Sequence, residues 1–80
     1  DVEEVGRKIE AIRKQSKLPI GVGFGIRDAA SAASIGQFAD AVVVGSAIVT
    51  VMESLQQTPD QIPEAISGIL SEMRRALDEL

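Results

Sequence analysis

Two glycine-containing segments, Gly23-Phe24-Gly25 and Gly45-Ser46, carry residue types well suited to binding a phosphate group. A phosphate dianion is held well by backbone N–H groups at the N-terminus of a helix, where unsatisfied donors converge and the helix dipole is positive. Glycine lets the backbone come close to such an anion, and Ser46 adds a hydroxyl and an expected N-cap for the following helix. A site of this kind needs neither lysine nor arginine.

The same glycines also have a purely structural interpretation. Glycine at the end of a strand commonly serves a tight turn or close helix packing, and one such cluster is weak evidence for a ligand. Two glycine-containing strand ends are expected here on the same carboxyl edge of a parallel sheet, and one of them opens a helix. The residues alone leave both interpretations open.

The composition excludes several other kinds of chemistry. The 80 residues include no histidine and no cysteine, so a Ser-His-Asp triad, a thiolate nucleophile or a zinc finger cannot be built from this chain alone. A net charge of −4 and only two aromatic residues argue against binding to nucleic acid. No apolar stretch is long enough to span a bilayer, and no metal site is expected. We therefore expect a soluble, cytoplasmic protein.

Other residues near the glycine segments have simpler explanations than catalysis. Asp28 precedes an alanine-rich stretch and is expected to be its N-cap. Asp40 precedes an apolar run and is expected in a turn, while Arg27 is interpreted as a solvated charge. Phe24 suits either core packing or the wall of a pocket.

The spacing of apolar residues predicts alternating helices and strands. Recurrence at helical spacing indicates amphipathic helices, whereas short apolar runs without polar alternation indicate strands that are buried on both faces. The predicted elements are a helix over residues 2–15, a strand over 20–24, a helix over 28–36, a strand over 41–44, a short helix over 47–55 and a long terminal helix beyond Pro59.

Two parallel strands joined by a helix form a right-handed βαβ unit, and this one is not expected to stand alone. Both strands are apolar on both faces, and each would expose an unpaired edge. A doubly wound sheet or a (β/α)8 barrel would cover them. The short helix after the second strand favours the barrel, in which such a helix frequently completes a phosphate site. The pattern favours the last quarter of such a barrel, although the spacing of apolar residues alone leaves a doubly wound sheet open.

Two segments of this chain are also similar to a known family. Residues 19–28 (PIGVGFGIRD) and 39–49 (ADAVVVGSAIV) strongly resemble the tryptophan synthase alpha subunits, and the similarity extends over essentially the whole chain. The resemblance implies helix 6, strand 7, helix 7, strand 8, the short helix 8′ and helix 8 of a barrel. With it, we predict an α/β fold in which residues 1–80 form the C-terminal quarter to third of a single TIM (β/α)8 barrel domain, without a complete independent domain.

The function that the resemblance implies is that of a lyase in tryptophan and aromatic amino-acid biosynthesis. It cleaves indole-3-glycerol phosphate to indole and glyceraldehyde 3-phosphate, and passes indole to a beta subunit that holds pyridoxal phosphate. Partners are then the N-terminal remainder of the barrel and the beta subunit of an alpha2beta2 hetero-oligomer. The alpha barrel needs no cofactor of its own.

The resemblance also assigns residues. Gly25, Gly45 and Ser46 match positions that hold the substrate phosphate, while Phe24 and Val43 match positions lining the indole pocket. The catalytic carboxylates of the family lie in earlier strands and loops, so no catalytic residue is expected among these 80 and the chain alone is predicted to be inactive.

Two alternatives stay open beside this hypothesis. The chain could belong to another sugar-phosphate-binding (β/α)8 enzyme, although the Gly-Phe-Gly-Ile motif argues against it. It could also be a non-catalytic module that complements a barrel by docking its sheet edges onto another chain.

Overall fold

A computed structural model describes residues 2–23 and 25–80. The order of elements agrees with the predicted order, with a short 3-10 turn added before the last helix. The elements are α1 (Val2–Arg13), β1 (Gly21–Val22), α2 (Ala29–Gly36), β2 (Ala41–Val42), α3 (Ser46–Ser54), a 3-10 turn (Pro59–Gln61) and α4 (Ile62–Asp78).

Helix α1 is amphipathic and charged at both ends. Glu3 and Glu4 lie in its first turn and Arg13 in its last, which suits the helix dipole. The helix ends two residues before the predicted end at Gln15, because the Gln15 N–H bonds to the Ile12 carbonyl at 2.9 Å in a tighter turn.

The two strands are parallel and shorter than predicted. Gly21 pairs with Ala41 and Val22 with Val42. Backbone hydrogen bonding continues just beyond this ladder, since the Val43 N–H donates to the Val22 carbonyl at 2.8 Å. The predicted strand over 41–44 therefore narrows to its regularly paired residues, and the predicted end of the first strand, Phe24, lies outside the described residues.

The core lies on one face of this pair of strands, beneath α2 and α4. Its most buried side chains are those of Ile26, Ala32, Ile35 and Met73, each 4% exposed or less. The partly buried side chains packed against them are Val5, Val22, Ala39, Val42, Val44 and Ile69. Within residues 2–23 and 25–80 this core contains no aromatic side chain, in line with the low aromatic content of the sequence.

Helices α2 and α4 approach each other closely at Gly36. A Cβ atom added there would collide with Leu77 Cδ2 and come within 3.2 Å of Leu80 Cδ1. The residue predicted to stop the helix is its last residue, and its lack of a side chain lets α4 pack against the end of α2.

An ion pair fastens α1 to the amino-terminal end of the strands. Asp40 Oδ2 accepts the Ile20 N–H at 2.8 Å and lies 3.1 Å from Arg13 Nη1, while Arg13 Nη2 donates to the Phe38 carbonyl at 2.8 Å. The bond from the Ile20 amide, and next the Arg13 guanidinium, lower the pKa of Asp40. This residue, expected merely in a turn, thus joins a helix to a strand.

The chain is elongated and exposes much of its surface. Its radius of gyration is 14.4 Å, whereas a compact domain of this length has about 12 Å. Its accessible surface is 5836 Å², against about 4,700 Å² for a compact protein of 8.5 kDa. The excess agrees with the expectation that further structure covers this unit.

Candidate functional site

The two glycine segments leave the sheet side by side. A Cβ atom added to Gly23 would lie 3.4 Å from Val43 Cβ and 3.7 Å from the Val43 carbonyl oxygen. Because the strands are parallel, both following loops start from the same carboxyl edge. The structure therefore brings together the starting points of the two segments that the sequence selects.

Gly25 has a backbone conformation that favours glycine. Its φ is 81°, the only positive φ in the described part of the chain. Apart from its chain neighbours, no described atom lies within 4 Å of a Cβ built on it. The left-handed conformation explains the glycine without a ligand, and the open space beside it leaves room for one.

Helix α3 begins at the second glycine segment. Gly45 is its N-cap and Ser46 its first residue, which corrects the prediction that Ser46 caps the helix. The Ile48 and Val49 N–H groups both donate to the Gly45 carbonyl, at 3.0 and 3.1 Å. The cap lies one residue earlier than predicted because the Gly45 carbonyl, and not that of Ser46, accepts these first bonds of the helix.

The face of the strands opposite the core carries small side chains. Residues alternate along each strand, so Val22 and Val42 face the core while Gly21 and Ala41 face away from it. Val43 belongs to the second set: its Cγ2 would lie 3.9 Å from a Cβ on Gly21, and the residue is 58% exposed. Val43, a predicted pocket residue, thus lies on an uncovered apolar surface, and its neighbours Gly21 and Ala41 are small.

The loop that contains Gly25 returns to the core at Ile26 and then enters α2. Asp28 is the N-cap, as predicted, and its Oδ1 accepts the Ser31 N–H at 2.8 Å. This bond, and next the bond from the Ser31 hydroxyl, lower the pKa of Asp28; partial desolvation raises it, and the charge of Arg27 adds a smaller lowering effect. Its carboxylate is committed to the cap, which argues against a role as a catalytic acid.

Four of the five predicted binding residues lie at this edge. Val43 directly follows β2, Gly45 and Ser46 open α3, and Gly25 lies in the loop after β1. Phe24 lies outside the described residues, so its predicted role in the pocket stays a prediction.

Sequence reasoning missed Ser31, whose hydroxyl accepts the Arg27 and Asp28 N–H groups. The signal was an Asp-x-x-Ser pattern, a capping box whose partners differ from the common Ser-x-x-Glu form.

Two searches of the described residues 2–23 and 25–80 bear on other kinds of site. No group of three or more carboxylate, cysteine or histidine residues there is placed to hold a metal ion. None of the helices in these ranges is long and apolar enough to cross a membrane.

Comparison with known proteins decides the family. A family model described as tryptophan synthase alpha chain matches residues 1–78. The chain belongs to the tryptophan synthase alpha chain family. Among its relatives in this family, the alpha chain of Alkalilimnicola ehrlichii is 51% identical over 80 residues, and that of Methylococcus capsulatus is 53% identical over 78 residues.

These matches cover 100% and 98% of the present chain, yet 29% of each tryptophan synthase alpha chain. The chain thus spans less than a third of the length of these relatives.

A solved structure shows the same arrangement of elements. The tryptophan synthase alpha subunit from Legionella pneumophila superposes with a TM-score of 0.91 at 34% sequence identity, over 100% of this chain and 30% of that one. The match confirms the predicted fold class, a segment of the (β/α)8 barrel of this family.

Proposed function

We propose that these residues form the phosphate-binding and indole-binding edge of a tryptophan synthase alpha chain. The whole subunit would then act as a lyase that cleaves indole-3-glycerol phosphate to indole and glyceraldehyde 3-phosphate. The observation that carries the proposal is the pair of glycine segments on one carboxyl edge, in a chain of this family.

The phosphate is proposed to bind between Gly25 and the start of α3. The first-turn amides of Ser46 and Ala47 lie at the positive end of a helix of nine residues. Described atoms leave open space around the Cβ positions of Gly25 and Gly45. Backbone N–H groups and the Ser46 hydroxyl can therefore approach an anion without a cationic side chain.

The indole ring is proposed to lie against the uncovered face of the strands. Val43 offers an exposed apolar side chain there, and the glycine and alanine beside it, Gly21 and Ala41, leave room for a flat ring. Burying apolar surface contributes about 25 cal/mol per Å², which gives this contact a favourable free energy. Phe24 is retained as the second proposed contact with the ring.

Chemistry and assembly are assigned to other parts of the protein. We propose that the catalytic carboxylates come from the N-terminal remainder of the barrel, so that the 80 residues alone are inactive. The alpha chain is proposed to need no cofactor and to pair with a beta subunit, which carries pyridoxal phosphate, in an alpha2beta2 complex.

Replacing Ser46 by aspartate in the full-length alpha chain tests the phosphate site. A carboxylate about 4 Å from a phosphate charge costs about 1 kcal/mol or more, so KM for indole-3-glycerol phosphate should rise about five-fold or more. Release of indole, measured at several substrate concentrations, gives this value. Ser71→Asp, at an exposed position of α4, adds the same charge outside both glycine segments and should leave KM unchanged.

Two results would contradict the proposal. If the parent subunit releases no indole from indole-3-glycerol phosphate, the assigned activity is wrong. If the parent is active and Ser46→Asp binds substrate as tightly as Ser71→Asp does, the activity stands and the phosphate site lies elsewhere.

A further inference from the structure

The Ser31 hydroxyl is a junction of four short contacts. It accepts the Arg27 N–H at 2.8 Å and the Asp28 N–H at 3.0 Å. Its own proton has two acceptors within reach, Asp28 Oδ1 at 2.8 Å and the Asp28 carbonyl at 3.1 Å. One side chain therefore binds two successive backbone amides of the loop that enters α2.

This junction does more than an ordinary capping box. In that motif the side chain at the third helical position bonds only to the N–H of the N-cap residue. Here it also binds the N–H of Arg27, which lies before the N-cap and two residues after Gly25. The additional bond, from the Arg27 N–H to the Ser31 hydroxyl, therefore restrains the loop before the helix and does not cap the helix itself.

The loop between β1 and α2 is held at both of its ends. On the strand side, Val22 is bonded to Val43, and Gly23 packs against the same residue. On the helix side, Ile26 is 3% exposed in the core and Arg27 is bonded to Ser31. Gly25, with its φ of 81°, lies between these anchors, so the anchors set the direction of its backbone.

We propose that Ser31 is a positioning residue for the ligand: its hydroxyl holds the Arg27 and Asp28 amides and thereby sets the backbone of Gly25 against the phosphate. This inference rests on the proposed function, in which Gly25 contacts the substrate phosphate. Ser31 itself has no contact with the ligand and no part in the chemical step.

Ser31→Ala in the full-length alpha chain separates the two roles of the junction. The variant loses the hydroxyl but retains the Ser31 backbone N–H, which still bonds to Asp28 Oδ1 and caps the helix. Losing a hydrogen bond that positions the loop should raise KM for indole-3-glycerol phosphate about three- to ten-fold. The inhibition constant of inorganic phosphate should rise in parallel, while kcat changes less than about two-fold.

Ala30→Gly is the matched control on the neighbouring, exposed position of α2. It weakens the helix through propensity alone and touches neither the loop nor the hydroxyl. If Ser31 has a purely structural role, both variants should lower Tm and the two should have the same KM. The positioning role predicts that KM rises only in Ser31→Ala.

A second pair of variants keeps the test valid if Ser31→Ala folds poorly. Ser31→Thr retains the hydroxyl and should keep KM near the parent value. Valine has nearly the same shape as threonine but no hydroxyl to accept the Arg27 and Asp28 N–H groups, so Ser31→Val should raise KM. Equal KM values for threonine and valine would overturn the inference. A parent subunit that releases no indole would refute the proposed function itself, which is a different result.

Discussion

At the scale of single residues, the two glycine segments have different reasons for being glycine. Gly25 adopts a φ of 81°, whereas Gly45 has a φ of −127°. A side chain strains the first conformation, which is left-handed, whereas the second has a negative φ. Absence of a Cβ at Gly25 thus serves the fold, and we propose that absence of a Cβ at Gly45 serves the approach of the phosphate.

A pair of alanine substitutions in the full-length alpha chain checks this difference. We expect Gly25→Ala to lower the free energy of unfolding by about 1–2 kcal/mol, the usual cost of a left-handed residue with a Cβ. Gly45→Ala should change it by less than about 0.5 kcal/mol, because no described atom crowds its Cβ position. Urea titration measures both, and equal losses would contradict the assignment.

At the scale of elements, α4 is the longest helix among the described residues and carries one glycine in its interior. No described atom lies within 4 Å of a Cβ built on Gly68, whereas a Cβ on Gly36 collides with Leu77. The same substitution is therefore expected to have opposite effects at these two helical glycines.

Gly68→Ala should raise the free energy of unfolding by about 0.5–1 kcal/mol through helix propensity. Gly36→Ala should gain nothing or lose stability, because Leu77 must move away from the end of α2. Thermal unfolding of the full-length alpha chain and of both variants provides the comparison. A similar gain at both positions would show that α2 and α4 pack less closely than described.

Helices were more predictable from the sequence than strand ends or the anchoring of loops. Periodic apolar residues such as Ile66, Ile69 and Met73 specify the buried side of α4 directly. The strand bounds depend on which backbone groups find a partner across the sheet, and this is not encoded in any one residue. The junction at Ser31 depends on two amides whose positions follow only from the folded loop.

In the candidate site, too, some residues could be predicted from the sequence and others depend on how the strands pair. Glycine-rich strand ends and the family resemblance predict Gly25, Gly45, Ser46 and Val43 as site residues, and these residues do lie at one edge of the sheet. The small residues beside Val43 were not selected, because their common face appears only once the register of the strands is known.

At the scale of the whole molecule, the exposed apolar surface agrees with the fact that the chain spans only part of the length of its relatives. The exposed large hydrophobic side chains include Val43, which follows the second strand, and Val49 and Met52 in α3. The chain spans 29% of the length of its Alkalilimnicola ehrlichii relative. Apolar surface of this kind is normally buried, so the remaining length of an alpha chain is the expected cover.

The isolated 80 residues should therefore associate in solution and not remain monomeric. We expect light scattering during size-exclusion chromatography to show association that grows with concentration, and we expect no release of indole. Adding the complementary part of the same alpha chain should reduce association by covering the strand edges. A monodisperse, cooperatively unfolding monomer would contradict this expectation.

The Arg13–Asp40 ion pair and the glycine segments lie at opposite ends of the strands, which is useful for protein engineering. The ion pair secures α1 at the amino-terminal end of the strands, whereas the glycine segments leave the opposite end. In barrels of this type, the amino-terminal face serves stability and the carboxyl face carries function. A library that randomises only Val43, whose side chain is exposed and faces away from the core, can therefore be screened for phosphorylated substrates with a different ring, while the Arg13–Asp40 ion pair stays unchanged.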